Sequence, residues 1–116
     1  MTKRIPKPGQ PVRGSKSGRA GMALFELLGR RWALRVIWEL REHRTLNFRE
    51  LLAACEIAPS VLNTRLAELR ETKIIELGDD GYALTKQGGA LLHLLMPLHD
   101  WADDWAKTLN DKQRIV

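Results

Sequence analysis

Hydrophobic and polar positions separate most clearly in residues 57–72, IAPSVLNTRLAELRET. At the period of an α-helix, three leucines fall on one side: Leu62, Leu66 and Leu69. Small or polar residues fall on the other side: Ser60, Asn63, Thr64 and Ala67. Pro59 suits the first helical turn, where its missing N–H costs no hydrogen bond. The pattern predicts a half-buried helix whose outer face either meets water or hydrogen-bonds to base edges in DNA.

The stretch before this helix predicts two helices that contribute to a core. Apolar residues recur at helical spacing after Gly21, and Gly29 is placed to end the first helix. Residues 32–42, WALRVIWELRE, are apolar almost all round, which is typical of a central helix.

A third helix is predicted to begin at Asn47. The Asn47 side chain can cap the amide of Glu50, and the Glu50 side chain can reach back, as in a capping box. This helix is expected to end near Cys55. Because only residues 56–58 separate it from the helix at 59–72, the pair predicts a helix-turn-helix.

A β-hairpin is predicted directly after the second helix of this pair. Residues 74–77 (IIEL) and 82–84 (YAL) favour strands, and the intervening GDDG contains Asp-Gly, a strong hairpin signal. A helix-turn-helix followed by a hairpin is a winged helix. The predicted fold class is therefore mainly α with a small β-hairpin wing.

A long last helix is predicted over residues 86–109, with Thr85 as its cap. Pro97 is expected to kink or split this helix, because proline has no N–H to donate. Trp101 and Trp105 lie at i, i+4 on one face. We expect this apolar face to pack on a partner subunit; packing on the first two helices of the same chain is the alternative.

Length and composition limit the class of protein. A chain of 116 residues is expected to form one domain. It has no run of 18 apolar residues and no apolar stretch near its start, so neither a membrane span nor a secretory signal is predicted. A single cysteine rules out an internal disulfide and fits the reducing cytoplasm.

The positive charge is concentrated in residues 1–20, which carry six basic residues and no acid. The rest of the chain has 13 basic and 14 acidic residues, so the net charge of +5 arises from +6 in this segment and −1 elsewhere. Its prolines and glycines predict an extended, mobile arm, and a basic arm is typical of nucleic-acid binding. A solubilising tail or an expression remnant is the alternative. The remainder, residues 21–110, is the predicted winged helix domain.

The chain resembles the HxlR-type winged helix-turn-helix regulators, relatives of the MarR group. The resemblance spans roughly residues 22–106 and is carried by LFELLGRRWALRVIWEL (24–40), NFRELLAA (47–54), VLNTRLAELRETKII (61–75) and YALTKQGGALL (82–92). It implies a dimeric cytoplasmic transcription regulator, with the helix at 59–72 as its recognition helix. It also implies pairing through the first and last helices, for which the candidate residues are Leu24, Leu28, Leu98, Trp101 and Trp105.

The sequence departs from this family in three places. Many members carry a redox-sensing cysteine just before the first helix, whereas this chain has Arg19 there and its Cys55 lies in an apolar context that suggests burial. The wing tip is Asp79-Asp80, so we do not expect the wing to enter the minor groove. The recognition helix begins with Ala58-Pro59-Ser60, which leaves fewer side chains to contact bases.

Double-stranded DNA is the predicted partner. Ser60, Asn63 and Thr64 are predicted to meet base edges, while Arg49 and Arg65, together with Ser60, would meet phosphate. For Arg65 the alternative is a salt bridge to Glu68 or Glu39. The remaining candidates for DNA contact are Pro59, Lys3, Arg4, Arg13, Lys16 and Arg19.

No catalytic motif and no cofactor are predicted. The histidines are scattered, and no serine or cysteine lies in a nucleophile motif. His99 and Asp103 lie at i, i+4, but two ligands without a third are weak grounds for a metal site. Two hypotheses follow: a dimeric, sequence-specific DNA-binding regulator with an unknown effector, or a winged-helix module that binds protein and touches DNA only through its arm. The near-neutral body and the acidic wing favour the second, and the resemblance favours the first.

Overall fold

The computed structural model describes the backbone of residues 5–115 and the side chains of residues 5–110. Five helices and one hairpin follow each other along the chain: α1 (Ala20–Leu28), α2 (Ala33–Glu39), α3 (Phe48–Cys55), α4 (Pro59–Glu71), β1 (Ile75–Gly78), β2 (Gly81–Leu84) and α5 (Lys86–Ile115). The predicted fold class, mainly α with a β-hairpin wing, is confirmed. Within the described part of the chain, no helix is both long and apolar enough to cross a membrane.

The hydrophobic core lies where α2, α3 and α4 meet the start of the hairpin. Its fully buried side chains come from each of these elements: Val36, Ile37, Leu40, Leu51, Leu62, Leu66, Leu69 and Ile75. The three leucines of α4 are therefore on its inner face, as the helical period predicts. The central position of α2 is also confirmed, although the helix is shorter than residues 32–42.

The turn before α2 has an unusual backbone. Trp32 takes the N-cap position of α2 with φ 73° and ψ −3°, the left-handed region that non-glycine residues seldom adopt. Gly29, which ends α1 as predicted, has an ordinary right-handed conformation instead. The residue with a left-handed backbone between α1 and α2 is therefore a tryptophan and not the glycine.

The helix-turn-helix forms as its local sequence dictates. Asn47 Oδ1 accepts from the Glu50 N–H at 2.8 Å, and Glu50 Oε1 accepts from the Asn47 N–H at 2.9 Å, which confirms the capping box. Glu56 then turns the chain in the left-handed region, and Pro59 begins α4 at a first-turn position. Only residues 56–58 separate α3 from α4.

The wing is a short antiparallel hairpin attached to the start of α3. Gly78 pairs with Gly81, so a two-residue loop of Asp79 and Asp80 joins the strands. Leu46 exchanges two backbone hydrogen bonds with Tyr82, at 3.0 and 2.7 Å. The hairpin is therefore fastened to the residue just before the capping box.

The last helix begins at a side-chain cap, as predicted. Thr85 Oγ1 accepts from the Gly88 N–H at 3.0 Å and donates to the Lys73 carbonyl oxygen at 2.6 Å. From there α5 continues through Pro97 as one helix to Ile115, so the alternative that proline splits it is wrong. The helix also extends beyond the predicted end at residue 109.

Residues 5–19 form hydrogen-bonded turns, so the prediction that they are extended is wrong. Val12 and Ser15 exchange two backbone hydrogen bonds, and the Gly9 N–H donates to the Gly18 carbonyl oxygen at 2.9 Å. Gly9, Gly14 and Gly18 all have positive φ. Glycine adopts positive φ without steric cost, so a segment rich in glycine can fold into turns. The same composition is also typical of extended chain, and for this reason it led to the wrong prediction.

Candidate nucleic-acid interface

The outer face of α4 is exposed, polar and almost free of charge over its first two turns. Pro59, Ser60, Asn63, Thr64 and Ala67 are all exposed to solvent. No acidic residue lies in the first turn, and the nearest exposed acid on this helix is Glu71, near its end. A negatively charged polymer could therefore approach the start of α4 without meeting a carboxylate on this helix.

The side chains on this face differ in the hydrogen-bond donors and acceptors that are still available to a ligand. Thr64 Oγ1 donates to the Ser60 carbonyl oxygen at 3.0 Å, so its hydroxyl proton is engaged while its lone pairs can still accept. The Asn63 amide makes no hydrogen bond to any described residue. Asn63 thus offers both donors and an acceptor to an incoming group, and it is the most versatile contact on the helix.

Arg65 lies on the flank of α4 and is engaged within the chain. Its guanidinium forms an ion pair with Glu68, and its Nε donates to the Arg31 carbonyl oxygen at 2.7 Å. The Arg65 side chain is only 17% exposed. Of the two interpretations of this residue, the structure shows the salt bridge to Glu68, which engages the guanidinium that a phosphate would need.

Glu68 is the centre of a network that the sequence did not reveal. This carboxylate is buried, at 4% exposure, and it accepts from Arg30 as well as from Arg65. Arg30 lies between α1 and α2, so the network ties that turn to α4. Its only sequence signal is the i, i+3 spacing of Arg65 and Glu68, because Arg30 is 38 residues away from Glu68.

The basic residues predicted to contact phosphate have different surroundings. Arg49 is exposed on α3 and makes no ion pair with the described residues. Lys16 and Arg19 are exposed as well, whereas Arg13 lies 3.7 Å from Glu26 through its Nε. Lys7, another cation of the basic segment, pairs with Glu71 of α4 at 2.7 Å. Lys3 and Arg4 lie outside the described residues.

The residues predicted to form a dimer interface belong to two helices. On α5, Leu98, Trp101 and Trp105 are 59%, 59% and 52% exposed, and the two indole rings stack with centroids 5.8 Å apart. On α1, Leu24 and Leu28 are half-buried. More than half of each indole is thus open to solvent, and α5 presents a partly uncovered apolar face.

The other side of α5 packs on α2 through an aromatic stack. The rings of Trp38 and His99 are nearly parallel with centroids 5.0 Å apart, and the Arg41 guanidinium lies 4.4 Å from the Trp38 ring centre. Asp100 joins His99 and Asp103 to give three possible metal ligands within reach of each other, one more than the sequence indicated. All three are exposed, and nothing else in the described part of the chain points to a bound cation there.

The single thiol is placed for packing. Cys55 is buried at the end of α3, 3% exposed, beside Glu39 of α2. Burial raises the pKa of the Cys55 thiol, the Glu39 carboxylate raises it further, and the Arg35 guanidinium opposes both effects. A protonated, buried thiol reacts slowly, which agrees with the predicted burial.

Comparison with known proteins agrees with this geometry. The family model of the HxlR-like helix-turn-helix matches residues 27–110. The crystal structure of the quinone-bound YodB from B. subtilis superposes with a TM-score of 0.65 and 32% identity, covering 71% of this chain and 93% of that one. The reduced form of the transcriptional regulator YodB gives 0.61 and 30%, covering 70% and 86%. No curated protein matches the sequence. This chain therefore belongs to the HxlR-like helix-turn-helix family of DNA-binding transcriptional regulators and is not an enzyme.

Proposed function

We propose that the protein is a homodimeric, sequence-specific regulator that places the start of α4 in the major groove of DNA. The observation that carries the proposal is the exposed, acid-free face of α4. At its centre is the amide of Asn63, which has no hydrogen-bond partner within the described part of the chain. A solvated helix face usually carries lysine and glutamate, whereas short amides and hydroxyls have the reach and chemistry to contact base edges. Such a regulator acts in the cytoplasm, where the chromosome of a bacterium lies.

Three side chains share the base contacts in this proposal. Asn63 can pair bidentately with adenine, through its amide oxygen and its NH2 group. Thr64 accepts a hydrogen bond or contacts a thymine methyl group, since its proton is already donated to Ser60. Ser60, one turn earlier, can hydrogen-bond to a base edge or to a phosphate, and Pro59 lies beside it at the start of α4.

Phosphate contacts come from cations outside α4. Arg49 lies on the neighbouring helix, and Lys16 and Arg19 lie in the basic segment; all three are exposed. Such contacts fix the position of the protein on the duplex but carry no sequence information directly. Arg13 can add to them, since its side chain is 86% exposed despite its contact with Glu26. The acidic tip of the wing, Asp79 and Asp80, is expected to stay away from the phosphates.

Dimerisation follows from the open face of α5. Leu94 and Leu109 extend the apolar stripe formed by Leu98, Trp101 and Trp105, and all five are exposed by 46% or more. Fully burying an exposed leucine side chain contributes roughly 1.5–3 kcal/mol. Two copies therefore gain free energy by covering the parts of these stripes that are still exposed. A two-fold dimer presents two recognition helices, and we expect a pseudo-palindromic site with half-site centres about 10 bp apart.

The test is selection of bound fragments from genomic DNA with the purified protein, followed by quantitative gel shifts on the selected site. Asn63→Ala should relax the preference at one position in each half-site, at a cost of roughly 1–3 kcal/mol against the preferred base. The matched control, Asn110→Ala on α5, should leave both the affinity and the preference unchanged. If Asn63→Ala lowers the affinity equally for every DNA sequence, Asn63 contacts the DNA backbone and the proposed base contact is refuted.

A further inference from the structure

A cavity of about 590 Å³ lies between the folded basic segment and the turn that joins α1 to α2. Ligand pockets usually have volumes of roughly 300–1,000 Å³, so the size is suitable for a small molecule. One wall comes from residues 5–13 and the other from residues 26–31 and Arg65. The cavity exists only because the segment before α1 is folded back on the domain.

The wall on the domain side is positively charged. Four arginines line the cavity: Arg30, Arg31 and Arg65 on the domain side, and Arg13 on the side of the basic segment. The neighbouring acids are Glu26, which pairs with Arg13, and the buried Glu68, which pairs with Arg30 and Arg65. Among the described residues, four positive charges therefore face two negative ones, and the Arg31 side chain makes no ion pair. An anion is the ligand that this wall favours, because guanidinium groups bind carboxylate and phosphate through paired N–H donors.

The opposite wall is apolar. Ile5, Pro6, Pro11 and Val12 line it, and Pro6 is buried while Ile5 and Val12 are half-buried. An apolar wall does not contribute to the binding of an inorganic ion, but it favours the binding of a hydrocarbon group, because that group is removed from water. A cavity with one apolar wall and one cationic wall selects a molecule that has both features.

We infer that this cavity binds a small organic anion, a carboxylate on an apolar body, with its head group at Arg31 and its body against Val12 and Pro11. The site is separate from the proposed base contacts, because Ser60, Asn63 and Thr64 do not line the cavity. Among the proposed phosphate contacts, Arg13 does line it. The site is also separate from the open apolar face of α5.

Occupation of the site is transmitted to α4 through shared residues. Arg30 and Arg65 line the cavity and also hold Glu68, and Arg65 donates to the Arg31 carbonyl oxygen. A bound carboxylate competes with Glu68 for these guanidinium groups and loosens the attachment of α4 to the α1–α2 turn. Couplings between sites are typically 5–150-fold, so saturating ligand lowers DNA affinity by about fivefold or more. This second step rests on the proposed function of α4.

Calorimetric titration of the full chain with octanoate tests the site without DNA. Octanoate should bind saturably with one site per chain, whereas octanol and inorganic phosphate should each bind at least about tenfold more weakly. Arg31→Gln should weaken octanoate binding about tenfold or more. Arg70→Gln removes an equal charge from an exposed position outside the cavity and should change nothing.

Each other result contradicts a stated part of the inference. If octanoate binds equally to the wild type and to Arg31→Gln, the proposed site is overturned. If only Trp105→Asp loses octanoate binding, the binding site is on the α5 face. Tight binding of phosphate, or equal binding of octanol, overturns the ligand class. If octanoate binds through Arg31 but leaves the DNA affinity unchanged, the coupling is overturned. If protein that binds octanoate in the calorimeter does not bind DNA at all, the proposed function is refuted instead.

Discussion

The backbone of Gly88 lies so close to the carbonyl oxygen of Ile74 that a Cβ atom on residue 88 would overlap with it. This contact joins the first turn of α5 to the residue just before β1. We predict that Gly88→Ala lowers the free energy of unfolding by about 1–3 kcal/mol, the usual cost of forcing extra atoms into a packed site. Urea denaturation of the variant and the wild type measures the difference.

The neighbouring glycine is the matched control for this substitution. Gly89 lies in the same turn of α5, but a Cβ atom there meets nothing within 4 Å. Gly89→Ala should stabilise the protein by about 0.4–1 kcal/mol, because alanine restricts the unfolded chain. Equal effects at the two positions would show that the backbone contact at Gly88 is unimportant.

The carboxylate of Glu68 should matter far more to stability than another ion-paired carboxylate on the same helix. Glu68→Gln removes the carboxylate with which Arg30 and Arg65, 15% and 17% exposed, form ion pairs. We expect a loss of about 3 kcal/mol in the free energy of unfolding, as for one partner removed from a buried ion pair. Glu71, which pairs with Lys7 at the surface, provides the comparison, and Glu71→Gln should cause a much smaller change. Similar losses in the two variants would contradict the buried network.

Trp105→Asp should convert the proposed dimer into a monomer. The substitution places a charge in an interface that would have to bury it without a partner. Sedimentation velocity across a range of concentrations measures the oligomeric state. Lys107→Gln changes the net charge by the same amount about 200° further around the helix axis, and it should leave the dimer intact. A wild type that stays monomeric at all concentrations would end the proposal.

The cations of the basic segment should contribute unequally to DNA binding. Each lost phosphate contact reduces the slope of log affinity against log salt by about 0.9. Lys16→Gln and Arg19→Gln should each flatten the slope by about this amount, since both side chains are exposed. Lys7→Gln should have little effect, because Lys7 is engaged with Glu71. Gel shifts at four or five salt concentrations on one site give the slopes, and unchanged slopes at Lys16 and Arg19 would rule out their contacts.

Reaction of Cys55 with iodoacetamide should be slow in the folded protein and should increase with pH. Only the thiolate reacts, and the raised pKa of Cys55 keeps the thiol protonated at neutral pH. A folded-state pKa above the unfolded value also means that this group contributes stability at low pH and loses it as the pH rises through the folded pKa. Cys55→Ala should abolish labelling. Rapid labelling of the native protein at pH 7 would contradict the burial.

Features that depend on neighbouring residues could be predicted from the sequence. The capping box of Asn47 and Glu50, the Asp79-Asp80 turn and the Thr85 cap each use partners within three residues. The inner face of α4 follows from the period of a helix alone. These elements, in order, were sufficient to predict the winged helix, whereas the family was indicated by the resemblance of four sequence stretches.

Features that depend on distant parts of the chain could not be predicted. The sequence indicates that Glu68 can pair with Arg65, but not that Arg30 reaches it from the α1–α2 turn or that Arg65 also holds the Arg31 carbonyl oxygen. The prolines and glycines before α1 suggested an extended arm because composition does not show where hydrogen bonds close a turn. Trp32 is a further case, since its side chain gives no sign of a left-handed backbone.

The pair of backbone hydrogen bonds between Leu46 and Tyr82 has a consequence for the motions of the wing. A hairpin of two four-residue strands is barely stable by itself, but here it is joined to the segment that begins α3. The amide protons of Leu46 and Tyr82 should therefore exchange with solvent deuterium together, and only when α3 also opens. The wing and the helix-turn-helix then form one cooperative unit, and its reorientation on DNA would move both as a single rigid body.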